Sequence, residues 1–140
     1  GRTPSRMPAS PRAESLVALA KESDILAVAA RAYGGNVGMI SAEVIDALGP
    51  QGLLVNVARG QLVDEGALIA ALKDGRLGGA ALDVFATEPT PAERWADIPN
   101  TVLTPHTAGA TDRAVGEMRD MLIANLKAFF ARERLPNPAE

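Results

Sequence analysis

The sequence of 140 residues has no cysteine and a single histidine. The first absence excludes disulfides and thiolate metal sites, and it fits a reducing compartment. The second leaves no basis for a zinc cluster, so no metal is expected. Aromatic residues supply only 4% of the chain, and no apolar run approaches the roughly 18 residues that a membrane-spanning helix needs. No membrane partner is therefore expected. Neither sign of charge dominates: 14 Lys and Arg stand against 17 Asp and Glu, for a net charge of -3. The basic residues are scattered, which argues against nucleic acid as the partner. The opening GRTPSRMPASPR carries arginines but no apolar stretch of the signal-peptide kind, and a cytoplasmic location is expected.

What is present is a regular alternation. Hydrophobic residues make up 47% of the chain, enough for one domain with a real core. AESLVALAKES (13–23) places Leu16, Leu19 and Ala20 at helical spacing. DILAVAA (24–30) predicts a short, fully buried strand. SAEVIDALGP (41–50) predicts a helix with Ser41 as its N-cap and Gly49-Pro50 as its stop. LLVNV (53–57) predicts a second buried strand. DEGALIAALKDG (64–75) begins with acids, carries Leu68 and Leu72 on one face and ends at Gly75, as a helix should. GAALDVF (79–85) and TVLTP (101–105) predict two more strands. Val115, Met118, Leu122, Leu126 and Phe129 mark one face of a long helix from about Thr111 to Arg132. LPNPAE is too rich in proline to continue it. Strands alternating with helices of this length predict an α/β fold, a parallel sheet with flanking helices.

One further absence bears on organisation. A parallel sheet that binds a dinucleotide normally carries G-x-G-x-x-G after its first strand, and the sequence has none. YGGNVG (33–38) has three glycines at the wrong spacing. The start, GRTPSR, looks like material that follows a second strand. The expectation is thus a C-terminal part of a larger protein, with residues 1–112 as the second half of a dinucleotide-binding domain and 113–140 as a C-terminal helix and tail.

In open α/β sheets, ligands bind beyond the carboxyl ends of the strands. Three chemically distinct side chains follow successive strands there: Arg59 after LLVNV, Glu88 after GAALDVF and His106 after TVLTP. Each has an ordinary reading as well. Arg59 alone could be a solvated charge or an ion-pair partner, Glu88 a loop charge, and His106 a hydrogen-bonded ring with no proton chemistry. Asn56 and Asp83 sit inside strand patterns, where polar groups must find partners. Trp95 is expected to cover an edge of the fold. The shared location of Arg59, Glu88 and His106 favours the functional reading.

LLVNVARGQLVDEGALIAAL (53–72), GRLGGAALDVFATEP (75–89) and NTVLTPHTAGAT (100–111) resemble, in order and spacing, the three signature blocks of the NAD(P)-dependent D-isomer-specific 2-hydroxyacid dehydrogenases. ISAEVIDALGPQGLLVN (40–56) is similar to the glyoxylate and hydroxypyruvate reductase branch. The resemblance covers nearly the whole chain. It implies a Rossmann-type sheet, and reduction of a small 2-keto acid to the D-2-hydroxy acid by an intact homodimer. It places the substrate arginine at Arg59, the acid/base histidine at His106 and its carboxylate partner at Glu88. Glu88 would hold the ring and favour its protonated form. Asp83 falls where the nicotinamide carboxamide is contacted, and Ala29 and Ala58 fall in segments bordering the cofactor. Asn56 is assigned to bracing the turn.

Arg2 and Arg6 flank Thr3 and Ser5, and an arginine in that place accommodates the 2′-phosphate of NADP. The two arginines could also be a solvated basic start. The resemblance to the reductase branch, which often uses NADPH, makes NADPH the expected cofactor, with NADH the second choice, and Arg2 and Thr3 are assigned to it. The loop AARAYGGNVG departs from the family, which more often has Pro and Thr there. Two other readings stay open: a phosphoglycerate dehydrogenase-like enzyme, and a non-catalytic nucleotide-sensing module like the family's corepressors.

Overall fold

The computed structural model describes residues 12–138. The chain forms two compact units that divide in sequence between Pro105 and His106. The first holds four parallel strands in the order β1-β2-β3-β4: Ile25–Val28, Leu53–Asn56, Gly79–Leu82 and Thr101–Leu103. Helix α1 (Leu16–Lys21) precedes β1, α2 (Ala42–Leu48) and α3 (Glu65–Lys73) make the β1–β2 and β2–β3 connections, and a loop with one short 3-10 turn leads from β3 to β4. The parallel α/β fold expected from the alternation is the fold observed.

Strand period two decides where the core lies. Leu26, Val28, Leu54, Ala80 and Leu82 point to one face, where Ala20, Val44, Ile45, Leu48, Leu68, Ala71 and Leu72 of the three helices pack against them. Leu54, Leu62 and Leu68 have no exposed surface, and each such burial is worth roughly 1.5–3 kcal/mol. The other face is much less covered. Ile25 is 59% exposed and Val102 65%, with Ala27 exposed as well. The expectation that DILAVAA is a fully buried strand is therefore corrected to a half-buried one. The reason is positional: β1 is an edge strand, and α1, α2 and α3 all contribute to a core on one face only.

The helix ends follow local chemistry. Ser15 caps α1 by accepting from the Ala18 N–H at 3.1 Å, and Asp64 caps α3 by accepting from Ala67 at 3.0 Å. Ser41 stands at the N-cap of α2, as expected, but its side chain makes no capping bond. Gly49 ends α2 with φ +81°, a conformation that a side chain would strain.

The second unit is built on α4, Asp112–Ala131, capped by Thr111. The face marked by Val115, Met118, Leu122, Leu126 and Phe129 is exposed. Asn125 donates to the Asn137 carbonyl at 2.9 Å and accepts from its N–H at 3.0 Å, which ties the tail to the helix.

Candidate active site

Strand register aligns the carboxyl edge. Val28, Asn56, Leu82 and Leu103 are partners in one row across the sheet. Asp83 follows that row at once, and Glu88 follows within the same loop. Arg59 is the third residue beyond it on β2, and His106 the third beyond it on β4.

The turn after β2 is built by Asn56, which is 1% exposed. Its Nδ2 donates to the Arg59 carbonyl at 3.1 Å, and its Oδ1 accepts from the Ala58 N–H at 3.1 Å. The amide thus closes the turn from inside, in the bracing position expected for it. Arg59 is exposed, and its Nη1 donates to the Ala58 carbonyl at 2.6 Å. A cavity of about 500 Å³ opens here, lined from the β1 side by residues 29–32 and from the β2 side by 57–59. Three expected site residues, Ala29, Ala58 and Arg59, meet in this one space. Besides Arg31 and Arg59 its lining is four alanines and a valine, side chains too small to fill it.

The next residue, Gly60, explains how this turn is held to the loop after β3. A Cβ on Gly60 would lie 1.9 Å from the Phe85 carbonyl oxygen and 2.5 Å from the Ala86 nitrogen. Glycine is required because backbone meets backbone. The same short segment is gripped by two carboxylates. Glu88 Oε1 accepts from the Phe85 N–H at 2.9 Å, and Glu65 Oε2 accepts from the Ala86 N–H at 2.9 Å. Glu65 is 8% exposed and its second oxygen accepts from Arg94. Trp95, 5% exposed, stacks edge-on against Phe85 at 5.8 Å and so covers this loop.

Asp83 is 4% exposed, and Thr104 Oγ1 donates to its Oδ1 at 2.5 Å. A buried carboxylate is thereby fixed at the end of β3. His106 opens the second unit with φ +56°, in the left-handed region. Arg2 and Thr3 lie outside the described residues. Sequence reading missed Gly60 and Glu65. Both lie in the block already singled out, but an acid at a helix start reads as a dipole partner, and only the fold shows it buried.

Residues 2–108 match the family model of the D-isomer specific 2-hydroxyacid dehydrogenase, NAD binding domain. Hydroxyphenylpyruvate reductase of Plectranthus scutellarioides is 46% identical over 89% of this chain and 40% of its own length. Glyoxylate/hydroxypyruvate reductase A of Arabidopsis thaliana is 44% identical over the same shares, 89% and 40%. Among solved structures, the NADPH-dependent glyoxylate/hydroxypyruvate reductase of Sinorhizobium meliloti, in complex with NADP and malonate, superposes with a TM-score of 0.86 at 38% identity. That match covers 99% of this chain and 44% of that one. The chain thus spans about 40% of the length of the curated relatives it matches.

Proposed function

The chain belongs to the D-isomer specific 2-hydroxyacid dehydrogenases, in their NAD-binding domain, and from that premise we propose that the protein carrying it reduces a small 2-keto acid of the glyoxylate or hydroxypyruvate type to the D-2-hydroxy acid. The observation that carries this reading is the braced turn that delivers Arg59 to the alanine-lined cavity beside Ala29 and Ala58. Small side chains leave room for a nicotinamide ring, and a guanidinium in the same lining suits the anion that must lie next to that ring.

Bound reduced nicotinamide supplies the hydride. The remaining steps belong to the chain. Arg59 holds the carboxylate and carbonyl oxygen of the keto acid through its planar fork of donors. Negative charge grows on the carbonyl oxygen as the carbon is reduced, and His106 donates its proton there to give the hydroxyl. Glu88 is assigned as the carboxylate partner of His106. Asp83 is the acceptor for the carboxamide.

NADPH is the preferred cofactor, on the strength of Arg2 and Arg6 around Thr3 and Ser5. The intact protein is proposed to be a cytoplasmic homodimer with no nucleic-acid or membrane partner. Among the described residues no helix is long and apolar enough to cross a membrane. The test is turnover of the full-length protein with glyoxylate and hydroxypyruvate, followed by loss of NADPH absorbance. Cofactor binding without oxidation by either acid would sink the proposal.

A further inference from the structure

Arg59 shares its cavity with a second cation. Arg31 lines the same space from the β1 side, and like Arg59 it is the third residue beyond the strand-end row, since Val28 pairs with Asn56. The two side chains therefore stand in the loops that follow neighbouring strands and line one cavity. Among the described residues no carboxylate pairs with Arg31. Two like charges thus line one cavity, and among the described residues no carboxylate lies with them in its lining.

The base of Arg31 is fixed. Asn36 Nδ2 donates to the Arg31 carbonyl at 2.9 Å while its Oδ1 accepts from the Tyr33 N–H at 2.8 Å. The side-chain amide folds the 31–36 loop into a closed turn. The guanidinium thus swings from a set point at the cavity mouth and not from a loose loop.

We propose that Arg31 binds the pyrophosphate of the nicotinamide dinucleotide, while Arg59 in the same cavity binds the keto acid. This rests on the function proposed above. A small keto acid offers one carboxylate and one carbonyl oxygen, and Arg59 engages both. The second anion must then come from the longer ligand. Position agrees: Arg59 stands beside β3, whose loop carries Asp83 and Glu88, whereas Arg31 stands on the side of β2 away from β3. A dinucleotide lying along the carboxyl edge, with its nicotinamide toward Asp83, has its phosphates toward β1.

The test uses the full-length protein and the variants Arg31→Gln and Arg31→Lys. Dissociation constants are measured by fluorescence titration for NADH, NADPH and reduced nicotinamide riboside, which has the ring but no phosphate. Arg31→Gln should weaken both dinucleotides by about tenfold, the scale of one charge-assisted contact. The riboside should be unaffected, the lysine variant should recover most of the loss, and added salt should narrow the difference. The KM for keto acid at saturating cofactor should not move. Unchanged dinucleotide affinity would show Arg31 to be a solvated charge, and a raised keto acid KM with unchanged cofactor affinity would make it a substrate contact; either overturns the proposal. If the protein binds dinucleotides but reduces no keto acid, the function proposed above fails, and the dissociation constants still decide the role of Arg31.

Discussion

Arg59 and Glu88 leave the same edge of the sheet, and the function proposed above gives them different tasks that separate measurements tell apart. On that proposal, replacing Arg59 with Ala removes the counter-charge for the keto acid. KM should rise by about 10- to 100-fold, the weight of a charge-assisted bidentate contact, with a smaller change in kcat. A fall in kcat at unchanged KM would move Arg59 from binding to chemistry. Glu88→Gln keeps an acceptor for the Phe85 N–H, so the loop should survive. It removes the charge that the proposed function sets beside the reacting centre, so kcat for keto acid reduction should fall while cofactor affinity holds. Turnover equal to the parent's would remove Glu88 from the proposed machinery.

Between turns, helices and strands the decisive contacts are backbone ones. Gly60→Ala would force a methyl against the Phe85 carbonyl, where no side chain can step aside. The expected cost is about 3 kcal/mol, with a fall in Tm on the order of 10 °C, readable by calorimetry. A Tm within error of the parent would show that the two loops separate freely. Glu65 on α3 should behave in steps. Glu65→Gln retains an acceptor for the Ala86 N–H but loses the charge opposite Arg94; Glu65→Ala loses both and should cost about 1–3 kcal/mol. Urea midpoints ordered parent, Gln, Ala would support this, and equal midpoints for the two variants would not. Periodicity made all four strands and four helices legible, along with the Asp64 cap and the stop at Gly49. It could not tell that the second face of β1 is exposed, because an apolar run reads the same whether or not a layer covers it. Nor could it show that Gly60 touches Phe85, since that contact exists only once β2 and β3 lie side by side.

At the scale of the whole molecule, the site residues expected from the signature blocks divide unevenly. Ala29, Ala58 and Arg59 come together in one cavity, Asp83 and Glu88 stand at the end of β3, and His106 begins the second unit. The sequence contains no G-x-G-x-x-G, so the 140 residues on their own lack the usual seat for a dinucleotide phosphate. They are expected to show almost no reductase activity. Assays at equal concentration of this chain and of the full-length protein check this, and comparable rates would overturn it. The exposed residues Leu122, Phe129 and Phe130 add a physical reason for caution in handling: such a face promotes association at high concentration.

The contact of Gly60 with Phe85 has a consequence for how such a site can change over generations. Because the turn bearing Arg59 and the loop bearing Glu88 share one backbone surface, an insertion in either is felt by the other, and the two can drift only together. The loop after β1 is held differently. Residues 31–36 are closed by the side chain of Asn36, and only beyond them is the loop tied to the turn after β2, where the Gly38 and Ile40 N–H groups donate to the Gln61 and Leu62 carbonyls. Variation in ligand choice can therefore collect between residues 29 and 36 while the machinery on β2 and β3 is inherited intact.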